Sequence, residues 1–292
     1  MREGVYKEMN KMINNTIPSF LKLLESNDIG LHDLNKYYDM HPEAFEEYFK
    51  FHCPKTEERL SSAIEKYPAK LEDIRIISEI LPSIIQEVSK DYRIQFGSNI
   101  DVTFHIFVGG FGSNAFVERE IIGDIFFAVE KLSPVREHLR VIVAHEIGHI
   151  YHNVALQENG MDWTKAEWND APVSLYREGV ATYLSQLIVK GLSESVYYSY
   201  SSNGDSSLQY YKEIEENIKK RFLQDYVEGW TVEKEKEWFR LSGGTYFGYN
   251  RLGYFLGKSY IEYMVRTFGE TEALTFWGEN NLRSSVMEWL QK

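Results

Sequence analysis

VIVAHEIGHIYH, from Val141 to His152, is the stretch that decides how the rest of the chain is read. It contains His145-Glu146-Ile147-Gly148-His149. Side chains four apart lie one above the other on a helix, so the two imidazoles can grip one metal ion. Glu146 lies one residue round from His145, where its carboxylate reaches a water on that metal without binding the metal itself. Val141, Ile142, Val143 and Ala144 precede the pair and Ile147 and Ile150 continue the apolar run, which sets both histidines inside a mostly buried helix. Burying them without partners is costly. The competing reading is a pair of hydrogen-bonded core histidines.

Composition narrows the function classes. The chain of 292 residues is 43% hydrophobic and 26% charged, which is the profile of a globular protein with one substantial core or two modest ones. A net charge of -12 argues against nucleic acid and anionic membrane as partners, because both need a basic surface. One cysteine, Cys53, excludes an intramolecular disulfide and fits a reducing compartment. The opening MREGVYKEMNKMINN lacks the apolar core of a signal peptide, and no run of 18 apolar residues occurs. The expectation is a soluble cytoplasmic protein.

Outward from the histidine helix the periodicity changes twice. Residues 1–98 read as an N-terminal helical region: Ile13, Ile17, Phe20, Leu21 and Leu24 recur at helical spacing, and a pattern from Leu71 to Leu81 is ended or kinked by Pro82 before it resumes. His32, His41 and His52 have no ligand-like spacing and read as surface or capping residues. From Ile100 to Val108 apolar residues alternate, the pattern of a strand with one buried face. Gly109 to Ser113 follows as a flexible turn, then two more strands at Asn114–Glu118 and Ile121–Glu130, with Gly123 a candidate bulge. Ser133-Pro134 opens the histidine helix, and Pro172 opens another that Gly191 stops. Residues 99–191 thus form an α/β subdomain, and residues 192–292 a C-terminal helical one. In the latter, Ser199–Ser207 reads as a mobile loop and helices are expected over 213–226, 252–268 and 272–290. The fold class expected is α+β, mainly helical, with a small mixed sheet packed on the metal-binding helix.

A catalytic zinc needs three protein ligands and one open position. Arg177-Glu178-Gly179-Val180-Ala181 supplies the third: Glu178 is an acidic residue on an otherwise apolar helical face, 29 residues beyond His149. Gly179 and Ala181 are small, as a close approach to the histidine helix requires.

These residues carry a resemblance. A His-Glu-Ile-Gly-His helix followed by Glu-Gly-Val-Ala resembles the gluzincin clan of zinc metallopeptidases, whose third ligand is a glutamate on a second helix. Asn114-Ala115-Phe116, 31 residues before His145, is similar to the edge strand that thermolysin-like enzymes lay against the substrate backbone. Gly123-Asp124 resembles a second stretch of theirs. Arg251 to Gly257, RLGYFLG, is similar to a downstream motif in an uncharacterised bacterial family of predicted zinc-dependent proteases.

The resemblance implies a zincin-like fold and peptide-bond hydrolysis of a peptide or protein substrate. Zinc on His145, His149 and Glu178 would polarise the scissile carbonyl and acidify a water, with Glu146 as general base. It also implies an oxyanion donor on a downstream helix, for which Tyr254 is the first choice and Tyr246 and Tyr249 follow. The backbone of Asn114 and Ala115 would pair with the substrate. Two features depart from the clan. The gap from His149 to Glu178 is longer than in thermolysin-like enzymes, and Thr182 stands where those enzymes place an aspartate that orients a histidine. Asp124 and Asp170 are the substitutes considered for that aspartate. His152, three residues beyond His149, is within reach of the metal, and a role beside the site or on the surface is the preferred reading. Two other readings stay open: a regulatory protease cutting one protein partner, as in the phage-repressor-cleaving family that also carries His-Glu-Ile-Gly-His, and a non-catalytic helical binding protein with a structural zinc. The long helical flanks argue against the former and an intact Glu146 against the latter.

Overall fold

A computed structural model of the chain describes residues 13–24, 29–97, 100–200, 205–279 and 281–292. They are mainly helical and include one small mixed sheet, an α+β arrangement. The chain packs as two compact units, one ending at Glu146 and the other beginning at Ile147, and the division falls inside a single unbroken helix.

In the first unit the sheet runs in the order β1 (Ile13–Asn15), β2 (Phe104–Phe107), β4 (Ile125–Ala128), β3 (Ala115–Val117). The first two neighbouring pairs are parallel and β3 is antiparallel to β4. The helix expected from Ile13 begins only at Ile17, as α1 (Ile17–Leu24). Ile13 instead pairs with Phe104, and the Asn15 side chain accepts the Ile17 N–H at 3.0 Å, which ends the strand and starts the helix. β2 also differs from the alternating expectation. It lies between β1 and β4, and all four of its residues are buried. His105 is accommodated there by Asp124, 3.1 Å from Nε2, and by Asn14, 3.3 Å from Nδ1.

After α2 (Leu31–Asp39) and α3 (Pro42–Glu47), a π-helical turn over Tyr48–His52 leads to α4 (Glu57–Phe96). His32 is exposed and His41 caps α3, as expected, but His52 is half-buried and stacks on Phe116 with 3.6 Å between ring centres. Pro82 neither ends nor divides α4, which is one helix of 40 residues through Pro68 and Pro82. An interior proline costs a helix about 3 kcal/mol. Burial of Leu60, Tyr67, Ile74, Ile77, Leu81, Ile84, Val88 and Tyr92 along one face outweighs that cost.

The glycine turn between β2 and β3 is held at almost every backbone group. Buried Glu130 accepts the N–H of Gly109 at 2.8 Å and of Phe111 at 2.9 Å. The Tyr48 hydroxyl accepts the N–H of Gly110 and of Gly112, both at 2.9 Å. Arg59 donates to the carbonyls of Gly110 and Phe111, Tyr67 to that of Gly109, and Lys131 to that of Gly112. A Cβ on Gly109 would meet the Tyr48 hydroxyl at 2.5 Å, and one on Gly112 the His52 carbonyl at 2.4 Å, so the glycines are required for close approach. Gly123 has a similar role and is not a strand bulge: it lies ahead of β4, where a Cβ would be 2.7 Å from that of Glu118.

The helix that joins the units is α5 (Arg136–Glu158). The second unit continues with α6 (Ala171–Ile188), α7 (Glu194–Ser199), α8 (Asp205–Glu213), α9 (Glu215–Val227), α10 (Val232–Phe239), α11 (Leu252–Phe268), α12 (Glu270–Glu279) and α13 (Leu282–Leu290). The span expected as one helix over 272–290 is thus two, with the Asn281 side chain capping α13 at the Ser284 N–H, and α10 was not anticipated. Of the loop expected over Ser199–Ser207, residues 201–204 lie outside the described ones, Ser199 ends α7 and Asp205 opens α8. α6 and α11 cross at backbone contact: a Cβ on Gly179 would lie 2.3 Å from the Gly257 carbonyl, and one on Gly257 2.3 Å from that of Leu175. No described helix is long and apolar enough to cross a membrane.

Replacing Glu130 with glutamine leaves one acceptor for two backbone N–H groups. The unmatched donor should cost about 1–3 kcal/mol, read as a lower urea-unfolding midpoint at unchanged slope. An unshifted midpoint would show that this carboxylate does not hold the turn.

Candidate metal centre

α5 owes its position to its apolar side chains and to α4. Leu139, Val141, Ile142, Val143, Ala144, Ile147 and Ile150 are all buried. Within the first unit Arg136 pairs with Glu87 at 2.6 Å and Arg140 with Asp91 at 3.1 Å, while the buried Tyr92 hydroxyl donates to the Ala144 carbonyl at 2.7 Å. That last contact fixes the turn immediately before His145. His145, Glu146, His149 and His152 are buried.

Glu178 projects from the middle of α6, flanked by the buried Tyr176, Gly179 and Val180. Its Oε2 lies 3.6 Å from His149 Nε2. One ligand atom from each of His145, His149 and Glu178 lies within 4.8 Å of the others, the only such histidine, cysteine or carboxylate group of three among the described residues. Zinc bonds of about 2.0–2.1 Å in tetrahedral geometry put two ligands about 3.4 Å apart. The His149–Glu178 distance already matches that spacing. Two imidazoles and a carboxylate are also a donor set for zinc. The residues present therefore fit a three-ligand metal ion.

His152 is not in this group. It is buried, with its ring edge-on to Tyr176 at 5.2 Å. Burial, reinforced by the charges of Arg177 and His149, pushes its imidazole well below the usual histidine range.

The two aspartates considered as orienting groups are engaged elsewhere. Asp124 accepts from Thr103 N–H and His105 and lines an acidic recess with Glu43, Glu46, Glu47 and Glu118. Asp170 stands at the N-terminal boundary of α6, and its side chain accepts from Tyr226 at 3.0 Å and Arg283 at 3.1 Å. Thr182 is buried one turn beyond Glu178.

Tyr254 lies in the first turn of α11, buried between the Phe239 ring and the Arg251 guanidinium. Tyr246 is exposed against Arg221, and Tyr249 packs on Tyr211. Asn114 and Ala115 belong to the first unit, at the sheet's outer strand. The Asn114 carbonyl accepts from Ala128 and the Glu118 N–H donates to Asp124, both toward β4. Strand alternation then turns the backbone groups of Ala115 and Val117 to the open edge. Asn114 contributes its carbonyl to the sheet, and Ala115 is the outward-facing residue of the pair.

Of two charged neighbours of Glu178, Arg177 is named by the sequence only as a surface ion-pair partner for it, and Glu235 is not singled out at all. Glu235 on α10 accepts from Trp230 at 3.2 Å. Burial raises its carboxyl above the usual range, and the negative charge of Glu178 adds to the shift. Arg177 lies over the Trp168 ring at 4.8 Å. Glu235 sits in the charge-alternating VEKEKEW stretch, where nothing marks one glutamate from the next.

No protein-family model, curated protein or solved structure matches the chain.

Removing the carboxylate takes away one of three ligands. Glu178→Ala should weaken zinc binding at least tenfold in a competition titration against a chromogenic chelator. Full affinity in that variant would remove Glu178 from the centre.

Proposed function

We propose that the protein is a zinc-dependent peptidase with a zincin-like catalytic core, acting in the cytoplasm on peptide or protein substrates. The observation that carries this reading is the His145, His149 and Glu178 group with Glu146 on the same turn of α5. A purely structural site has no use for an acidic residue between two ligands. The lone buried Cys53 is in keeping with a reducing compartment.

A zinc ion held by these three side chains supplies Lewis-acid polarisation of the scissile carbonyl and a water with pKa near about 7. Glu146 would serve as the general base, taking a proton from the attacking water and delivering it to the leaving amine. Tyr254, on the helix that crosses α6, donates its hydroxyl to the developing oxyanion. An extended substrate segment adds to the outward groups of Ala115 and Val117.

Purified protein should hold about one zinc per chain and cleave some member of a mixed peptide library. Glu146→Gln should keep the metal and lose the activity; metal-free protein, or undiminished cleavage by that variant, overturns the reading. Tyr254→Phe should lower kcat by about 10- to 1,000-fold with little change in KM. A normal kcat would move the oxyanion role to another residue.

A further inference from the structure

Arg177, the residue before Glu178, feels the charge of that carboxylate but forms no ion pair with it. Among the described residues no carboxylate lies within ion-pair distance of it, and its buried Nε has no hydrogen-bond partner. Its guanidinium lies over the face of Trp168 at 4.8 Å. That ring is itself fixed, stacked on Trp163 at 5.5 Å and edge-on to Trp277 at 5.3 Å.

Other arginines of this acidic chain are paired: Arg136 with Glu87, Arg140 with Asp91, Arg221 with Asp225. The carboxylates nearest to Trp168 in sequence, Glu167 and Asp170, are both taken by Arg283. The buried Nε–H without an acceptor is costly, and the cost is relieved when a planar anion meets the guanidinium's fork of N–H donors. Stacking on tryptophan leaves that fork oriented in advance. Glu178 and Glu235 nearby set the local charge against a dianion such as phosphate, which leaves a single carboxylate as the fitting group.

We propose that Arg177 is the receptor for a substrate carboxylate beside the metal centre, a proposal that rests on the peptidase reading. The carboxylate is either the α-carboxylate of a chain end or an acidic side chain. A free chain end within reach of the cleavage site makes the enzyme a trimmer of carboxyl termini; an acidic side chain makes it selective for acidic segments.

The test uses the zinc-loaded full chain and calorimetry with three acetylated alanine tripeptides: the free acid, its amide, and an amide carrying one internal glutamate. The free acid or the glutamate peptide should bind at least about tenfold tighter than the plain amide, the ratio expected of a charge-assisted hydrogen bond. Whichever is preferred identifies the source of the carboxylate. Arg177→Gln should bring that peptide to the amide's level with zinc content unchanged, and Arg177→Lys should restore part of the difference.

Equal binding of all three peptides, binding of none at millimolar concentration, or a preference that survives Arg177→Gln each overturns the proposal. So does an Arg177→Gln variant that loses zinc while keeping the preference, since Arg177 would then only support Glu178. If that variant fails to fold, the comparison of peptides on the unsubstituted protein and on Arg177→Lys still decides. Carboxylate-selective binding without cleavage of any peptide would instead sink the peptidase reading and leave the receptor standing, whereas cleavage without selectivity does the reverse.

Discussion

The carboxylate of Glu178, held 3.6 Å from the imidazole of His149, is the contact around which the second unit is arranged. A charged group reaches that position only from a helix whose neighbours allow it. Gly179 supplies this at the next residue, because α11 approaches α6 there through the bare backbone of Gly257. A side chain at either glycine would push the two helices apart. The polar trio is thus embedded in helices that are otherwise apolar, and such a cluster is tolerable only when its lone pairs converge on something. Arg177, on the turn of α6 next to Glu178, shows the same economy: one short stretch of helix carries a ligand, a cation and the glycine that lets the neighbouring helix in.

Local signals in the sequence were sufficient where local chemistry decides the outcome. The histidine helix reads directly from its spacing, and the helix from Leu252 to Phe268 is found with both ends as expected. Glu178 is legible because an acidic residue interrupts an apolar face beside two small residues. Expectations failed where distant partners decide. Ile13 looks like the start of a helix until Phe104 offers it a strand to pair with. Pro82 looks like a terminator until the continuous buried face of α4 outweighs it. His105 looks like a solvent-facing strand residue until Asp124 and Asn14 receive it.

The candidate site divides along the same line. His145, Glu146 and His149 are fixed by helical geometry alone, so five consecutive residues of sequence suffice to group them. Glu235 and Arg177 owe their interest to neighbours that only the fold assembles: Glu178, distant in the chain, for one, and the fixed face of Trp168 for the other. Composition gives no warning of either, because a lone unpaired cation looks like any other arginine until its surroundings are counted.

The turn from Gly109 to Gly112 carries a consequence for recognition kinetics. A glycine-rich connection ordinarily behaves as a hinge, and a strand hung on a hinge must be ordered when a partner arrives. Here the hydrogen bonds of Glu130, Tyr48, Tyr67, Arg59 and Lys131 remove that freedom beforehand. The three residues of β3 therefore behave as a rigid rail whose register with β4 is set during folding. An extended chain that adds to this edge meets a template already in place, and the entropy lost on association falls almost wholly on the incoming chain.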